Sequence, residues 1–596
     1  MIYQKKHRIL FFLSVLAFLM VSCQDETIKN DRVPLVENSN TSIQLTKMQD
    51  SSLVTYELKS YSINNIVKNG ATYTKINFSG GLRTEEKGFS EIPYGSMTLQ
   101  TPDNRNLTIE MAEGAEYIDV NLEHPIIPSR GTIYRNQNPA EIPYEISDKS
   151  ISDKFYPGNV VELGAPFVLR DIRGVTAYFY PFQYRSEDMV LRVYKKFSFK
   201  LRPDNSLSVN PLPANTRGQE ILPLMNDMYK SVFVNYSSEE SGIKVSETKL
   251  TGDILVIYTA RDEAAIAPYV EWKTEKGFKV EKTQVVKGAN VKTLIAERYK
   301  ANPNLLYVLL VGDWEDIKSD TGPSSAPTDP MLGCVVGSDY YPDLIVGRFS
   351  GKNATDITIQ VQKTINYEKN PEIGAGWYKK GLGIASDEGA GAGDDDEADY
   401  EHMAIIKNNR LVPFGYKEVF EAYKNPTNKY VSDVINGGVG IINYVGHGSA
   451  TSWGTSGYSN TNIKNSTNGA MLPIIISVAC VNGAFHGSSD SFAEAFLKKS
   501  GGGAVATLMS TINQPWVPPM RGQDYMNDLL IGGYKYGENP GKGINTTSGR
   551  KTFGGIAFNG MILMYTESSA NSDLITLQTW TLFGDPSLDV RTEVPM

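Results

Sequence analysis

The sequence predicts an α/β fold with a mostly parallel sheet, preceded by an all-β domain. After about residue 252, apolar stretches typical of buried strands recur, among them NLLYVLLVGD, GVGIINYVGHG and MLPIIISVAC. Stretches with helical periodicity alternate with these strands, such as DEAAIAPYVEWKTEKG and SFAEAFLKK. From about residue 51 to 210, short stretches of alternating polarity are separated by turn residues, which indicates a β-sandwich-like domain.

Composition limits the class of protein. The 596 residues are too many for one hydrophobic core, so we expect two or three domains. The net charge of −9 argues against a protein that binds a phosphate backbone. The hydrophobic content of 41% is that of an ordinary globular protein.

The N-terminus predicts export. Basic residues precede an apolar run, Ile9 to Val21, that is too short to span a membrane comfortably. The run ends at Cys23, in a pattern that resembles a bacterial lipoprotein signal, so residues 1–23 are predicted to be that signal and Cys23 to carry lipid. An ordinary signal peptide with an incidental cysteine is the alternative. Residues 24–50 are polar and are predicted to be a tether.

The candidate chemistry lies at two strand ends. His447 and Cys480 each follow an apolar strand, and ligands bind at the carboxyl ends of strands in such sheets. An imidazole can take the proton of a thiol and leave a nucleophilic thiolate. The N–H groups of Gly448 and Cys480 are candidates for an oxyanion hole. The alternative is structural, since buried cysteines and single histidines often only pack. His486 is a fallback base, predicted to lie on the surface.

Several longer motifs resemble the gingipain family of cysteine peptidases. They are NYVGHGSATSWGTS, SVACVNGAF, SFAEAF, STINQPWVPPMRGQDYMN and WTLFGDPSL. The separation of 33 positions between His447 and Cys480 (480 − 447) fits that family. The resemblance implies a caspase-like α/β catalytic fold with two subdomains, residues 246–370 and 371–596. It also implies that residues 51–245 form a β-rich propeptide domain.

The resemblance implies roles for further residues. His447 would be the general base, Cys480 the nucleophile and Glu388 the acid that orients the imidazole. Asp399 would be the floor of a pocket for a basic side chain, where a carboxylate pairs bidentately with two nitrogens of a guanidinium, which favours arginine over lysine. The predicted pocket walls are Trp516, Gln514 and Met520. Surface solvation of the acidic run around Asp399 and core packing of Trp516 are the structural alternatives.

The resemblance also implies a structural calcium ion. Oxygen ligands on an irregular loop suit this cation. The segments that match are LLVGDWED and CVVGSDYYPDLIVGRFS. The ligands would be Asp313, Asp339 and Asp343 through carboxylates and Val336 and Tyr341 through carbonyls. Asp343 replaces a family glutamate, and Ala450 replaces a family acid at a second calcium site.

We therefore expect an exported bacterial cysteine endopeptidase that cleaves proteins or peptides after arginine, held at the outer membrane or cell surface by lipid. Lysine specificity, or a catalytically silent binding lipoprotein with the same fold, are the alternatives. The propeptide is expected to keep the enzyme latent, with Arg170 or Arg173 in the Asp399 pocket. Cleavage near Lys244 or Arg217 would activate it, and the propeptide could stay associated afterwards. No nucleic acid is expected as a partner.

Overall fold

The computed structural model describes residues 33–37, 40–48, 50–78, 81–214, 220–239, 242–247, 251–534, 544–545, 552–568 and 570–596. The predicted signal peptide, Cys23 and Arg217 lie outside these residues. Residues up to about 210 are built almost entirely from strands, and residues from 253 onward alternate strands and helices. The fold class expected from the sequence is therefore present in both parts.

The N-terminal part is a β-sandwich. Alternate side chains of its strands, including Val54, Leu99, Phe179 and Phe199, are buried in one apolar cluster. In the described residues, the first sheet contains Val33–Glu37, Thr41–Lys47, Ser52–Leu58, Leu107–Met111, Glu116–Asn121, Phe182–Arg185 and Val190–Pro203. The second contains Leu82–Arg83, Pro93–Gln100, Val161–Leu163, Phe167–Leu169 and Ile172–Phe179, and a separate hairpin joins Ser62–Lys68 to Ala71–Asn77.

The predicted tether over residues 24–50 is wrong in its second half. Thr41–Lys47 forms a seven-residue strand that pairs antiparallel with Ser52–Leu58. Ile43 and Leu45 alternate with polar residues and point into the sandwich core, where they are 4% and 7% exposed. Two buried side chains are enough to fix the register of a strand, although the stretch is polar on average.

The C-terminal part is built around one large sheet, in which ten described strands are hydrogen-bonded side by side. Most neighbours are parallel, and Ala506–Ser510 and Trp580–Phe583 are antiparallel. Helices cover both faces, so the central strands are apolar along their whole length. In sheet order the strands are Val280–Val285, Asp253–Thr259, Leu305–Val311, Ile345–Phe349, Trp580–Phe583, Ala506–Ser510, Ile474–Val478, Ile441–Val445, Lys380–Ala385 and Glu418–Tyr423.

The last strand of the chain joins the two halves of this sheet. Trp580–Phe583 lies between Ile345–Phe349 of the first half and Ala506–Ser510 of the second. The two predicted subdomains therefore share one continuous sheet rather than two separate ones.

Helices and short strands complete the structure. The α-helices are Pro223–Val232, Glu263–Glu275, Lys292–Ala301, Ala354–Lys369, Asp399–Ile405, Val412–Phe414, Asn428–Asn436, Asn460–Lys464, Phe492–Lys498, Val517–Leu530, Phe553–Ser568 and Asn571–Thr579. The short strands are Ala289–Asn290, Ile317–Lys318, Asp320–Thr321, Pro327–Thr328, Gly448–Ser449, Ser452–Trp453, Tyr458–Ser459, Gly533–Tyr534 and Ile544–Asn545. None of the helices that the structure describes combines the length and apolar character needed to cross a membrane.

Candidate active site

His447 and Cys480 lie at the same edge of the large sheet. They follow the strands Ile441–Val445 and Ile474–Val478, which are parallel neighbours, by two residues each. Cys480 is 1% exposed, and burial raises the pKa of its thiol to about 11, although the backbone of Gln514 and the cation of Arg135 lower it. In this state the sulfur is therefore held as a thiol.

The loops that carry the two residues are packed directly together. A Cβ at Gly448 would come within 2.3 Å of the backbone oxygen of Cys480, so no larger residue fits there. Asn482 is fully buried, and its Nδ2 donates to the backbone oxygens of Ser449 and Ser452 at 2.7 and 3.0 Å. One amide side chain thus ties the loop after His447 to the loop after Cys480.

His447 has a partner on each ring nitrogen. Nε2 lies 2.8 Å from Oε2 of Glu388, the acid predicted to orient it. Nδ1 lies 2.5 Å from the backbone oxygen of Arg135, in the N-terminal domain. The backbone oxygen can only accept, so Nδ1 carries a proton and donates to it. A nitrogen that carries this proton has no lone pair with which to act as a base.

The pocket beside this pair is filled by Arg135. Its Nη1 lies 2.9 and 3.0 Å from the two carboxylate oxygens of Asp399, and both side chains are fully buried. Ser386 donates to the same carboxylate at 2.6 Å. The guanidinium lies over the ring of Trp516, 4.3 Å from its centroid. A single nitrogen bridges the carboxylate, so the pairing differs from the two-nitrogen fork expected from the sequence.

Gln514 and Met520 are the other predicted wall residues. The Oε1 of Gln514 accepts from the N–H of Ala479 at 3.0 Å, which fixes the backbone before Cys480. Met520 is fully buried in the same apolar cluster as Trp516. Gln514 therefore supports the loop of Cys480 with its side chain, and Met520 is part of the core.

The chain around Arg135 runs along the pocket like an added strand. The N–H of Arg135 donates to the backbone oxygen of Gln514 at 2.9 Å, and the N–H of Trp516 donates to that of Ile133 at 2.8 Å. Tyr134 and Pro515 form an antiparallel bridge between these contacts. Directly afterwards the chain turns, since the N–H of Gln137 donates to the oxygen of Tyr134. An extended peptide thus enters the site and then leaves it.

The prediction that Arg170 or Arg173 occupies the Asp399 pocket is wrong. Arg170 is buried elsewhere and donates from Nη1 to the backbone oxygen of Asp343 at 3.0 Å. Arg173 stays inside the N-terminal domain, where it donates to the backbone oxygens of Arg105 and Val209, both at 2.7 Å. Both side chains are engaged by backbone carbonyls, and Arg135 fills the pocket instead.

The predicted calcium ligands are not gathered into one set. Among the described residues, Asp313, Asp339 and Asp343 form no group of three carboxylates with oxygens within 4.8 Å of one another. Asp343 is fully buried and accepts 2.7 Å hydrogen bonds from the backbones of Arg170, Val335 and Val336. Burial raises the pKa of Asp343 to about 8, although these hydrogen bonds lower it.

Asp339 and Tyr341 contact the N-terminal domain. Asp339 accepts from the N–H of Val168 at 2.8 Å, and the ring of Tyr341 stacks on Phe167 with centroids 3.9 Å apart. As placed here, this segment contacts the N-terminal domain, and the calcium ion stays a prediction. Val336, the other carbonyl candidate, is buried beside them.

A different group has the composition of a metal site. Among the described residues, Asp394, Glu397 and His402 are the three such side chains whose ligand atoms lie within 4.8 Å of one another. They lie in and just after the acidic loop between Glu388 and Asp399. Burial raises the pKa of Glu397 to about 7.

The sequence reasoning missed Arg135, Ser386 and Asn482. Nothing in the local sequence separates Arg135 from the other arginines of its domain, since its role depends on docking. Ser386 and Asn482 stand two residues before Glu388 and two after Cys480, so proximity to the candidate residues was the available signal. His486, the fallback base, is exposed beside Trp314.

Both parts of the chain are similar to known proteins. Residues 247–591 match Peptidase family C25, and residues 34–243 match its propeptide family. Gingipain R1 of Porphyromonas gingivalis is 35% identical over 98% of this chain, which spans 57% of that relative. Gingipain R2 of the same organism is 35% identical over 94% of this chain and 75% of its own length.

Solved structures are similar as well. The complex of the pro- and mature domains of Porphyromonas gingivalis RgpB is 38% identical, with a TM-score of 0.53 over 58% of this chain and 81% of that one. The Arg-specific cysteine proteinase gingipain R matches equally, over 59% of this chain. Since the family match covers more than half of the residues, and a relative at 35% identity is covered over three quarters of its length, the chain belongs to peptidase family C25.

Proposed function

We propose that this protein is a latent cysteine endopeptidase that cleaves peptide bonds after arginine. The observation that carries the proposal is Arg135, whose guanidinium lies between Asp399 and Trp516 while its backbone pairs with the pocket strand. A peptide held in this way presents its arginine carbonyl to His447. The names of the similar proteins, gingipain R and Arg-specific cysteine proteinase, agree with this specificity.

The mechanism is acyl transfer in two halves. Cys480 loses its proton to His447, and the thiolate adds to the carbonyl carbon after arginine. The N–H groups of Gly448 and Cys480 stabilise the oxyanion, an effect of about 3 kcal/mol per donor in other enzymes. His447 then gives its proton to the leaving amine, and afterwards activates water that releases the acid product. Glu388, 2.8 Å from Nε2, holds the imidazole in orientation.

Latency follows from the same contacts. Arg135 fills the specificity pocket, and its backbone oxygen engages Nδ1 of His447 instead of an oxyanion hole. The imidazole is then occupied on both nitrogens, so it cannot take the proton of Cys480. The turn at Tyr134 also carries the chain away from the position of a leaving group. Removal of residues 24–245 would restore the base and the pocket together.

The pocket favours arginine over lysine. Nη1 bridges the carboxylate of Asp399, Nη2 reaches the backbone oxygen of Trp516 at 3.4 Å, and the planar group stacks on the indole. A lysine ammonium could replace the first contact, but it has no second nitrogen and no flat face. Cleavage after lysine is therefore the weaker candidate, supported only by the contact with Asp399.

Activation requires a cut between the two domains. Lys244 lies in the connecting segment, and its side chain is 70% exposed in an ion pair with Glu220. An exposed lysine in an irregular segment is accessible to a peptidase that cleaves after lysine. We include cleavage near Lys244 in the proposal, with a propeptide that can stay bound through its contacts at Arg135.

Export and anchoring form a further part of the proposal. The N-terminal signal and Cys23 support a lipoprotein held at the outer membrane or cell surface. Metabolic labelling with a palmitate analogue, compared between the natural chain and Cys23→Ser, tests this. Calcium is proposed only as a structural ion, which would raise the Tm of the trimmed enzyme, and no step of the mechanism uses it.

The deciding experiment uses the full chain, trimmed at about residue 245 after folding. Matched fluorogenic peptides ending in arginine, lysine or an apolar residue are compared for the natural chain and Cys480→Ala. Cleavage of the arginine peptide that disappears in Cys480→Ala supports the proposal. A folded, trimmed protein that cleaves none of the peptides would leave the binding-lipoprotein alternative, and faster cleavage of the lysine peptide would reverse the specificity.

A further inference from the structure

Upstream of Arg135, the propeptide crosses a strongly acidic surface of the catalytic domain. Arg130, five residues before Arg135, donates from Nη2 to the backbone oxygen of Gly391 at 3.4 Å. Gly391 belongs to the acidic loop, residues 389–398, which connects Glu388 to Asp399. The segment from Arg130 to Arg135 therefore spans the distance between this loop and the specificity pocket.

The propeptide places cations on that loop from other strands too. Lys75 Nζ lies 2.6 Å from Oδ1 of Asp396, and Arg83 Nη2 lies 2.9 Å from Oδ2. Burial alone would raise the pKa of Asp396, but Arg83 and Lys75 lower it below its ordinary value. One carboxylate thus binds two basic side chains that leave when the propeptide leaves.

A cavity of about 220 Å³ separates the two domains beside this contact. Its catalytic wall carries two arginines, and both are already paired, Arg410 with Asp528 at 2.8 Å and Arg521 with Asp573. The acidic side chains of that wall are Asp394, Asp395, Asp396, Asp524, Asp528 and Glu567. Acidic side chains therefore outnumber basic ones on this wall, and Asp396, whose pKa is lowered by Arg83 and Lys75, is the one that binds the propeptide cations.

One of these acids also has an unsatisfied oxygen. The side chain of Asp394 is 9% exposed, and its Oδ1 accepts no hydrogen bond from the described residues, although it lies 3.7 Å from Nδ1 of His402. The side chains of Asp524 and Arg410 likewise each leave one polar atom without a partner. Buried polar atoms without partners are rare in folded proteins, and at a cavity they indicate a site that a polar ligand completes.

We propose that the surface formed by residues 391–396 and the adjacent cavity wall is an accessory subsite that binds a lysine or arginine side chain of the substrate, about four to six residues before the cleaved arginine. The propeptide enters the cleft in the direction of a substrate, so its upstream contacts indicate where a substrate chain passes. The inference rests on the proposed cleavage after arginine, and it adds a second, upstream determinant of specificity.

The subsite would select clustered basic sequences. A substrate with one arginine uses only the Asp399 pocket, whereas a substrate with a second cation upstream also contacts Asp396. A partly exposed ion pair contributes up to about 1 kcal/mol, which corresponds to about fivefold in kcat/KM. Because the contact is ionic and partly exposed, the preference should decrease as salt is raised.

The test compares two peptides on the trimmed enzyme, freed of its propeptide by gel filtration after the full chain has folded and been cut. Both end in arginine, and they differ only by lysine or glutamine five residues earlier. We expect kcat/KM for the lysine peptide to be about fivefold higher in 50 mM salt and the difference to vanish in 0.5 M salt. In Asp396→Asn both peptides should be cleaved at the rate of the glutamine peptide.

Asp433→Asn, which removes an exposed carboxylate paired with Lys429, is the matched control and should keep the preference. If neither peptide is cleaved, the proposed peptidase function itself fails. If both are cleaved equally by the natural enzyme, only the subsite is wrong. If Asp396→Asn keeps the fivefold preference, the cation binds elsewhere, and the assignment to residues 391–396 is overturned.

Discussion

In the proposed latent state, the single residue Arg135 contacts both the pocket and His447 and would block the site. Its guanidinium is fully buried against Asp399 and Trp516, and its backbone oxygen occupies His447. Removing one partner of a buried ion pair is costly, since the other charge stays buried without compensation. The effect on propeptide affinity should therefore be much larger than that of any arginine at the edge of the interface.

We predict that Arg135→Ala converts the cut but unseparated protein from inhibited to active. The loss of about 3 kcal/mol or more corresponds to a rise of about a hundredfold or more in the inhibition constant of the propeptide. Titration of trimmed enzyme with the separated propeptide measures this constant. Arg192→Ala, which removes an ion pair with Asp119 on the propeptide surface, should leave it unchanged. Equal constants for the two variants would show that the inhibition has another source.

At the scale of residues, apolar strand runs pointed to His447 and Cys480, the resemblance to the gingipain family supplied Glu388 and Asp399, and the structure brings all four together. Strand ends that follow long apolar runs can be predicted, because the run is local. Arg135 could not be predicted in the same way. It lies 264 positions before Asp399 (399 − 135), and only the docking of two domains brings these residues together.

The two loops after the central strands depend on each other. Asn482 bonds the backbone oxygens of Ser449 and Ser452, and its Oδ1 accepts from Ser477 at 3.1 Å. Val481, between Cys480 and Asn482, has φ of +45°, a strained value for a β-branched residue. The surrounding contacts must hold that conformation, and Asn482 is the side chain best placed to do so.

We predict that Asn482→Ala lowers kcat about tenfold and changes KM much less. The substitution removes both hydrogen bonds that join the two loops, at a cost of about 0.5–1.5 kcal/mol each, and loosens Cys480 relative to His447. The pocket at Asp399 and Trp516 does not depend on this amide, so binding should be preserved. Steady-state kinetics on the trimmed enzyme measure both constants. Asn460→Ala, which removes a bond to the backbone of Asp490, serves as control, and an unchanged kcat in Asn482→Ala would contradict the positioning role.

At the scale of elements, period and polarity predicted the alternation of strands and helices but not every boundary. Thr41–Lys47 was assigned to a tether because its average polarity is high, although Ile43 and Leu45 fix it in the sheet. The position of Trp580–Phe583 in the middle of the sheet is also absent from the local pattern. Pairing between distant strands depends on the whole fold, and no window of sequence contains it.

At the scale of the whole molecule, the interface between the propeptide and the catalytic domain has an unusual charge balance. Glu85 of the propeptide packs against the catalytic domain, where Ser572 donates to it at 2.8 Å. Burial and the nearby Asp573 raise the pKa of Glu85 from its ordinary 4.5 to about 7, although Ser572 and Arg521 lower it, and Glu91 raises it further. When the propeptide binds above pH 7, the ionised carboxylate of Glu85 is therefore buried beside another acidic side chain, Asp573.

The direction in which propeptide affinity changes with pH follows from the pKa of Glu85 in the bound and free states. The pKa of Glu85 is higher in the bound state than in the free propeptide, so binding takes up a proton. Its contribution to affinity is fully present below pH 4.5 and is lost as the pH rises through 7. One proton changes the inhibition constant by at most about tenfold per pH unit. The latent complex should accordingly be tight in acid and weaken in mildly alkaline conditions.

We predict that the inhibition constant of the propeptide for the trimmed enzyme rises about tenfold or more between pH 5 and pH 8, and that Glu85→Gln removes most of this rise. Glutamine keeps the acceptor for Ser572 and carries no charge, so the variant should bind as the natural propeptide does at pH 5 and more tightly at pH 8. Glu86→Gln, which changes an exposed neighbour, should keep the natural slope. If the inhibition constants of Glu85→Gln and Glu86→Gln change equally with pH, Glu85 does not control the dissociation of the propeptide. Other buried acids would then do so, such as Asp528, whose pKa is raised by burial to about 7.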